Sequence, residues 1–104
     1  MFESVMTFDL QPGIDMNAYQ AWVNSTLTSL SQQEGMLGFR ANRNMLGSPM
    51  SRSVTTWRTL EDWARYDSGA WKALAPEFRR YATNIKVELW GPSPIVQQPI
   101  SASL

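Results

Sequence analysis

The chain contains no cysteine and no histidine in 104 residues. Together these absences remove thiolate nucleophiles, disulfides, imidazole bases and the usual zinc, copper and haem-iron ligands. Any chemistry must therefore run on carboxylates, hydroxyls, amides, Arg, Lys or aromatic side chains, and no metal site is expected. An excess of charge is missing too: nine basic residues balance nine acidic ones, and neither sign forms a block. The sequence thus predicts neither a nucleic-acid surface nor an anionic-membrane patch. No stretch approaches the roughly 18 consecutive apolar residues of a membrane span. Met1 to Leu10 carries Glu3 and Asp9 and alternates in polarity, unlike a signal peptide. The expectation is a soluble, cytoplasmic protein.

What is plentiful is aromatic and sulfur-bearing surface. Five Trp and six Met, in a chain long enough for only one domain, exceed what a minimal core requires. The surplus either fills an oligomer interface or lines a pocket for a flat apolar ligand.

The densest aromatic chemistry lies in Ser51 to Tyr66. Val54, Thr55, Thr56 and Trp57 are β-branched or aromatic with no Gly or Pro among them, which predicts a strand over Ser51 to Trp57. At Thr59 the period changes, and Thr59 with Asp62 has the form of a capping box in which the carboxylate reaches back to the N-cap N–H. Leu60, Trp63, Ala64 and Tyr66 follow at helical spacing. Trp57 thus reaches a strand-to-helix corner beside Trp63 and Tyr66, the first place to seek a small-molecule site.

The other elements follow from pattern. Phe2 to Leu10 alternates, with Phe2, Met6, Phe8 and Leu10 on one face and Glu3, Val5, Thr7 and Asp9 on the other. Pro12-Gly13 makes a turn and Asp15 can cap a helix. Met16 to about Gln33 repeats Met16, Tyr19, Trp22, Val23, Leu27 and Leu30 at helical steps. Its other face, Asn17, Gln20, Asn24, Thr28 and Gln32, is polar yet uncharged, either solvated or an interface. Gly35 ends it. Met36 to Leu46 reads as a strand with Leu37, Phe39 and Ala41 opposite Arg40, Asn42 and Asn44, and a turn joins it to Ser51 as a hairpin. Asp67-Ser68-Gly69 breaks the following helix. Ala70 to Tyr81 resumes helical spacing, with Pro76 in a first turn or at a kink. Thr83 to Trp90 is the last strand, and the proline-bearing tail from Pro92 to Leu104 is expected to be extended, its Ile95, Val96 and Ile100 free to dock on a neighbour.

Strand, helix, strand, strand, helix, strand is the split βαβ order of a ferredoxin-like α+β fold: a four-stranded antiparallel sheet with helices on one face. Residues 1–91 make that domain and 92–104 an extended tail. The other sheet face is expected to be apolar and to need a cover, most simply the same face of a second copy, giving a homodimer through the sheet faces.

Glu34-Gly35-Met36-Leu37-Gly38-Phe39-Arg40, then the hairpin, then Val54 to Asp62 with Trp57 at its centre, then Glu88-Leu89-Trp90 resemble the antibiotic biosynthesis monooxygenase family of dimeric α/β barrels. The shared features are a Gly-rich lead-in to the second strand and a strand ending in Trp before a Ser/Thr-capped helix, over roughly Met1 to Pro92. The resemblance implies cofactor-independent oxidation of a small aromatic or polyketide-type substrate by dioxygen, with the protein positioning the substrate, stabilising its anion and excluding water. By that resemblance Trp57 walls the pocket and, with Tyr66 and Asn42, is assigned to catalysis. Trp63, Tyr66 and Trp71 stack on the rings, and Arg40, Asn42 and Asn44 donate to an oxyanion if their face turns inward. Relatives often carry a His on the helix after the Trp. Here that helix offers only Tyr66 and Asp67. The alternative, a non-catalytic dimeric module binding a hydrophobic ligand in the same pocket, stays open.

Overall fold

In a computed structural model, which describes residues 1–103, the elements are β1 (Phe2–Leu10), α1 (Met16–Ser31), β2 (Met36–Arg43), β3 (Ser51–Trp57), α2 (Leu60–Ser68), α3 (Ala70–Tyr81) and β4 (Ala82–Trp90). The strands form one antiparallel sheet in the order β2-β3-β1-β4. This is the expected α+β ferredoxin-like arrangement, in which α1 carries the chain from β1 to β2 across β3, and α2 with α3 carries it from β3 to β4 across β1.

Register decides which residues meet the helices. β1 pairs with β3 so that Phe2, Ser4, Met6 and Phe8 face Trp57, Thr55, Ser53 and Ser51. Phe8 meets Phe78 of α3 edge to face at 4.9 Å, which marks this as the helix-covered side. Phe78 also stacks on Trp22 of α1 at 5.3 Å, and Phe8, Phe78 and Ala82 form a buried cluster flanked by Met6, Leu10, Tyr19, Trp22 and Trp71. Burying Phe78 alone contributes about 2–3 kcal/mol.

Several expected boundaries shift for local reasons. β2 stops at Arg43, because the Asn44 side-chain oxygen accepts from the Leu46 N–H and turns the backbone into the hairpin. α1 stops at Ser31, where the Gln32 N–H closes a tight final turn on Ser29. Its polar face is exposed throughout, but Met16, expected in the apolar stripe, is exposed as well. Pro76 lies within α3 and not in its first turn.

The placement of α2 rests on one glycine and one carboxylate. Gly35 has φ +81°, and a Cβ there would overlap the Asp62 side chain. Asp62 can therefore press against the backbone that ends α1. Its carboxylate accepts from the Thr59 hydroxyl at 2.8 Å, from Arg58 at 3.1 and 3.2 Å and from Arg65 at 3.0 Å. The Thr59 oxygen in turn accepts from the Asp62 N–H at 3.1 Å. The capping box is thus half as expected: the hydroxyl caps the helix, but the carboxylate turns to that hydroxyl and two guanidiniums. The Thr59 hydrogen bond, then the Arg65 and Arg58 contacts, outweigh burial and hold its carboxyl below the ordinary range.

The uncovered sheet face differs from expectation. It carries Val5, fully buried Val54 and half-exposed Trp90, but also Arg40 paired with Glu3 at 3.1 Å and Lys86 near Glu88 at 3.6 Å. The surface is mixed, with ion pairs around an apolar centre. Residues 92–103 contain neither helix nor strand, and Ile95, Val96 and Ile100 are exposed. No helix among the described residues is long and apolar enough to cross a membrane.

Candidate functional site

In a plainly packed domain the helix-facing positions of the two central strands carry Val, Ile or Leu. Here they carry Ser4 on β1 and Ser51, Ser53 and Thr55 on β3. The short side chains leave a cavity of about 280 Å³ between sheet and helices. Its floor is the hydroxyl row. Its roof is aromatic, from Trp22 on α1, Trp63 and Tyr66 on α2, and Trp71 and Phe78 on α3. The volume is near the lower end of the range of small-ligand sites.

The rings form a continuous run. Trp57 lies 5.3 Å from Tyr66, Tyr66 6.4 Å from Trp71, and Trp71 5.7 Å from Phe78. Trp57 itself is fully buried and is not part of the cavity lining. Its indole N–H donates to the Ser4 hydroxyl at 3.2 Å, so it fixes one floor hydroxyl and backs Tyr66 from behind.

Of the other residues singled out from sequence, Trp63, Tyr66 and Trp71 are brought together in the roof. Asn42 borders the cavity from β2, although its register partner Arg52 belongs to the uncovered face. Arg40 lies on that uncovered face with Glu3, because it stands opposite Val54 in the ladder. Asn44 sits in the hairpin turn, where its side-chain oxygen serves the Leu46 N–H. Neither Arg40 nor Asn44 reaches the cavity.

Burial, reinforced by the Asp67 charge beside it, pushes the Tyr66 phenol up to about 12. At neutral pH it is a hydrogen-bond donor and not a base. Asp67 is the carboxylate that borders the cavity. Two lining residues each carry a buried polar atom, Trp22 Nε1 and Thr26 Oγ1, that has no hydrogen-bond partner among the described residues. Sequence reading passed over them because Trp22 fits the apolar stripe of α1 and Thr26 carries no pattern. The serine floor was also missed, since only the β1–β3 register sets those hydroxyls side by side.

The arrangement defines a class: a ferredoxin-like α+β domain with a hydroxyl-floored and aromatic-roofed cavity. No family model and no curated protein matches the sequence. Solved structures do match. The hypothetical protein At3g17210 from Arabidopsis thaliana superposes with a TM-score of 0.74 at 16% identity, over 99% of this chain and 91% of that one. SnoaB, a cofactor-independent oxygenase from Streptomyces nogalater, gives 0.73 at 13% identity, over 88% and 92%. An antibiotic biosynthesis monooxygenase gives 0.71 at 10% identity, over 90% and 100%. The chain therefore has the fold found in antibiotic biosynthesis monooxygenase structures.

Proposed function

We propose that this protein binds a small oxygenated aromatic compound in the cavity and oxidises it with dioxygen, without cofactor, as a homodimer assembled through the uncovered sheet faces. The observation that carries the reading is the pairing of a hydroxyl floor with an aromatic roof: the roof offers stacking area to flat rings, and the floor offers hydrogen bonds to their oxygens. The fold shared with a cofactor-independent oxygenase supports it.

The chemistry balances for an anthrone-type substrate. The CH₂ that faces the ketone across the central ring, and is conjugated with it through the flanking aromatic rings, gives a proton to Asp67, and the resulting anion passes one electron to dioxygen. The radical pair joins through a new C–O bond, and the peroxide takes up a proton. Loss of water then breaks the O–O bond and the remaining C–H bond, leaving a quinone. Tyr66, protonated up to about pH 12, donates a hydrogen bond to the developing oxyanion. Trp57 acts through Ser4 and Tyr66, which it holds in position.

Oxygen uptake with a panel of reduced anthrones and hydroquinones, free of flavin and metal, tests the reading. Uptake that falls at least about tenfold in Asp67→Asn supports it, since a positioned base contributes about 10²–10⁴-fold. The second reading, a binding module without turnover, has its own observation: with no His and with Tyr66 held protonated, Asp67 is the lone proton acceptor bordering the cavity among the described residues. Quenching of Trp fluorescence by the same compounds without oxygen uptake would favour it.

A further inference from the structure

The backbone of β4 is paired on one side only. The Arg58 N–H donates to the Gly35 carbonyl at 2.8 Å and the Asn44 N–H to the Met50 carbonyl at 2.9 Å, so the even-numbered positions along β3 bond to β2. Its odd-numbered residues therefore bond to the even-numbered residues of β1, which leaves Glu3, Val5 and Thr7 for β4. The Gln11 N–H, just past the end of β1, donates to the Tyr81 carbonyl at 2.8 Å and follows the same parity. Glu3, Val5 and Thr7 stand opposite Trp90, Glu88 and Lys86, so those three residues turn their backbone groups to β1. Ile85, Val87 and Leu89 alternate with them and turn N–H and C=O outward, where β4, an edge strand, has no neighbour. Their side chains belong to the helix-covered side, Val87 opposite Met6 and Leu89 opposite Ser4, yet they are 37%, 52% and 37% exposed in chain order. An edge with unpaired backbone groups and an open apolar row is a template for another strand.

We infer that this edge is the docking surface for the chain's own residues 96–103, which close on it as a fifth, antiparallel strand. The segment has no charged residue, and it alternates: Val96, Gln98, Ile100 and Ala102 form one row, and Gln97, Pro99, Ser101 and Ser103 the other. Pro99 sets which row can face β4. Along a strand, residues two apart send their side chains and their backbone groups the same way, and a proline has no N–H to give, so the Pro99 row faces outward. The inward row is then the one that holds Val96, Ile100 and Ala102. Opposed residues of an antiparallel pair share a sheet face, so Val96 and Ile100 join Ile85, Val87 and Leu89 on the helix side. Two unrelated features, the phase of a proline and the phase of the apolar residues, thus select one orientation. The chain already bends where a hairpin needs it, because the Ile95 and Val96 N–H groups both donate to the Ser93 hydroxyl, at 3.1 and 3.0 Å. With that bend as the turn, Val96 stands opposite Leu89, Gln98 opposite Val87 and Ile100 opposite Ile85, next to the bulge at Asn84 that ends the regular ladder. In the structure residues 92–103 pair with no strand, and Ile95, Val96 and Ile100 are exposed, which is the open arrangement of this strap. So short a link keeps the strap near its edge at an effective concentration on the order of millimolar, above that of a second chain at micromolar level. Val87 also lines the cavity, so the closed strap adds a strand to that wall. Closure is independent of what the cavity binds.

Amide hydrogen exchange in the full-length chain reads the closure. The Ile85, Val87 and Leu89 amides should exchange at least about tenfold more slowly than in a chain whose strap cannot close, while those of Lys86, Glu88 and Trp90, already bonded to β1, stay as they are. Two adjacent, identical residues supply the variant and its control. Gln98→Pro removes an inward N–H and should abolish the protection, whereas Gln97→Pro, in the outward row, should keep it. Both substitutions lie outside every helix and strand, so the domain itself is left intact. Equal exchange in the wild type and Gln98→Pro overturns the strap, and so does an equal loss of protection in the two proline variants. Because the chain has no cysteine, a nitroxide on Ser101→Cys has a single point of attachment. Carried on ¹⁵N-labelled chains, it should broaden the Val87 and Leu89 amides and continue to do so in an excess of unlabelled wild-type chains. Nitroxide-bearing chains that broaden those amides in separate ¹⁵N-labelled wild-type chains would assign the edge to the tail of a second copy and overturn closure within one chain.

Discussion

At the scale of single residues, Gly35 and Asp62 form a matched pair whose two halves can be tested separately. Gly35 and Gly13 both have positive φ, +81° and +74°, but a Cβ on Gly13 meets nothing within 4 Å, whereas one on Gly35 overlaps Asp62. Gly13→Ala should therefore cost only the left-handed backbone penalty, about 1–2 kcal/mol, and Gly35→Ala clearly more. Urea denaturation of both variants checks the order; equal losses would mean that Asp62 does not press on Gly35. The Asp62 carboxyl is held below its ordinary value of 3.8, first by Thr59 and then by Arg65 and Arg58. A depressed folded pKa contributes stability that is fully present above the unfolded value and is lost as pH falls through the folded value. Stability should hold from neutrality to about pH 4 and decline below it, with a shallower decline in Asp62→Asn. Asp9, lowered chiefly by its hydrogen bond from Ser48, leaves part of the acid dependence in place in that variant. Tyr66 works at the opposite end. Its pKa is raised to about 12, so its share of stability is complete below the ordinary tyrosine value of 10 and is lost between there and about pH 12, a loss that Tyr66→Phe removes.

At the scale of elements, β3 is the strand that trades packing for a site. Its helix-facing residues are Ser51, Ser53, Thr55 and then Trp57, a polar row ending in a fully buried ring. Ser53→Val fills part of the cavity with a methyl pair that suits a strand. It should raise unfolding stability by up to about 1 kcal/mol while weakening anthrone binding at least tenfold. A gain in stability with unchanged binding would show that ligands enter elsewhere. The same strand shows where sequence pattern succeeds and where it stops. Its existence, its end at Trp57 and the helix start at Thr59 are readable because β-branched residues, an aromatic and a capping pair sit in one short stretch. Alternation also sorts each strand correctly into two faces: Phe39 and Ala41 lie opposite Arg40, as the structure has them. Alternation alone does not say which face the helices cover, and so Arg40 was offered to the pocket although it lies with Glu3 on the other side. The serine floor escaped for a related reason. Ser is nearly silent in pattern, and four hydroxyls become one surface only when β1 and β3 pair in register. Trp22 escaped because an apolar stripe hides the polar edge of an indole.

At the scale of the whole molecule, apolar surface is left open where a packed partner would cover it. On the uncovered sheet face the open apolar surface is mainly that of Trp90, 55% exposed on the β4 side, beside half-buried Val5 and the already buried Val54, with ion pairs around them. An apolar patch with charged neighbours fits the anatomy of a specific interface, and a second copy presents the same patch turned about a twofold axis. Trp90 is the exposed aromatic best placed to anchor such a contact, since hot spots gather in Trp, Tyr and Arg. Trp90→Glu should therefore shift the proposed dimer toward monomer, raising its dissociation constant at least about thirtyfold, or about 2 kcal/mol. Sedimentation velocity across micromolar concentrations measures it. The cavity lies on the opposite side of the sheet, so anthrone affinity per chain should change little in the variant. A wild-type chain that sediments as a monomer throughout that range would remove the homodimer and leave the cavity to be judged by its ligands alone.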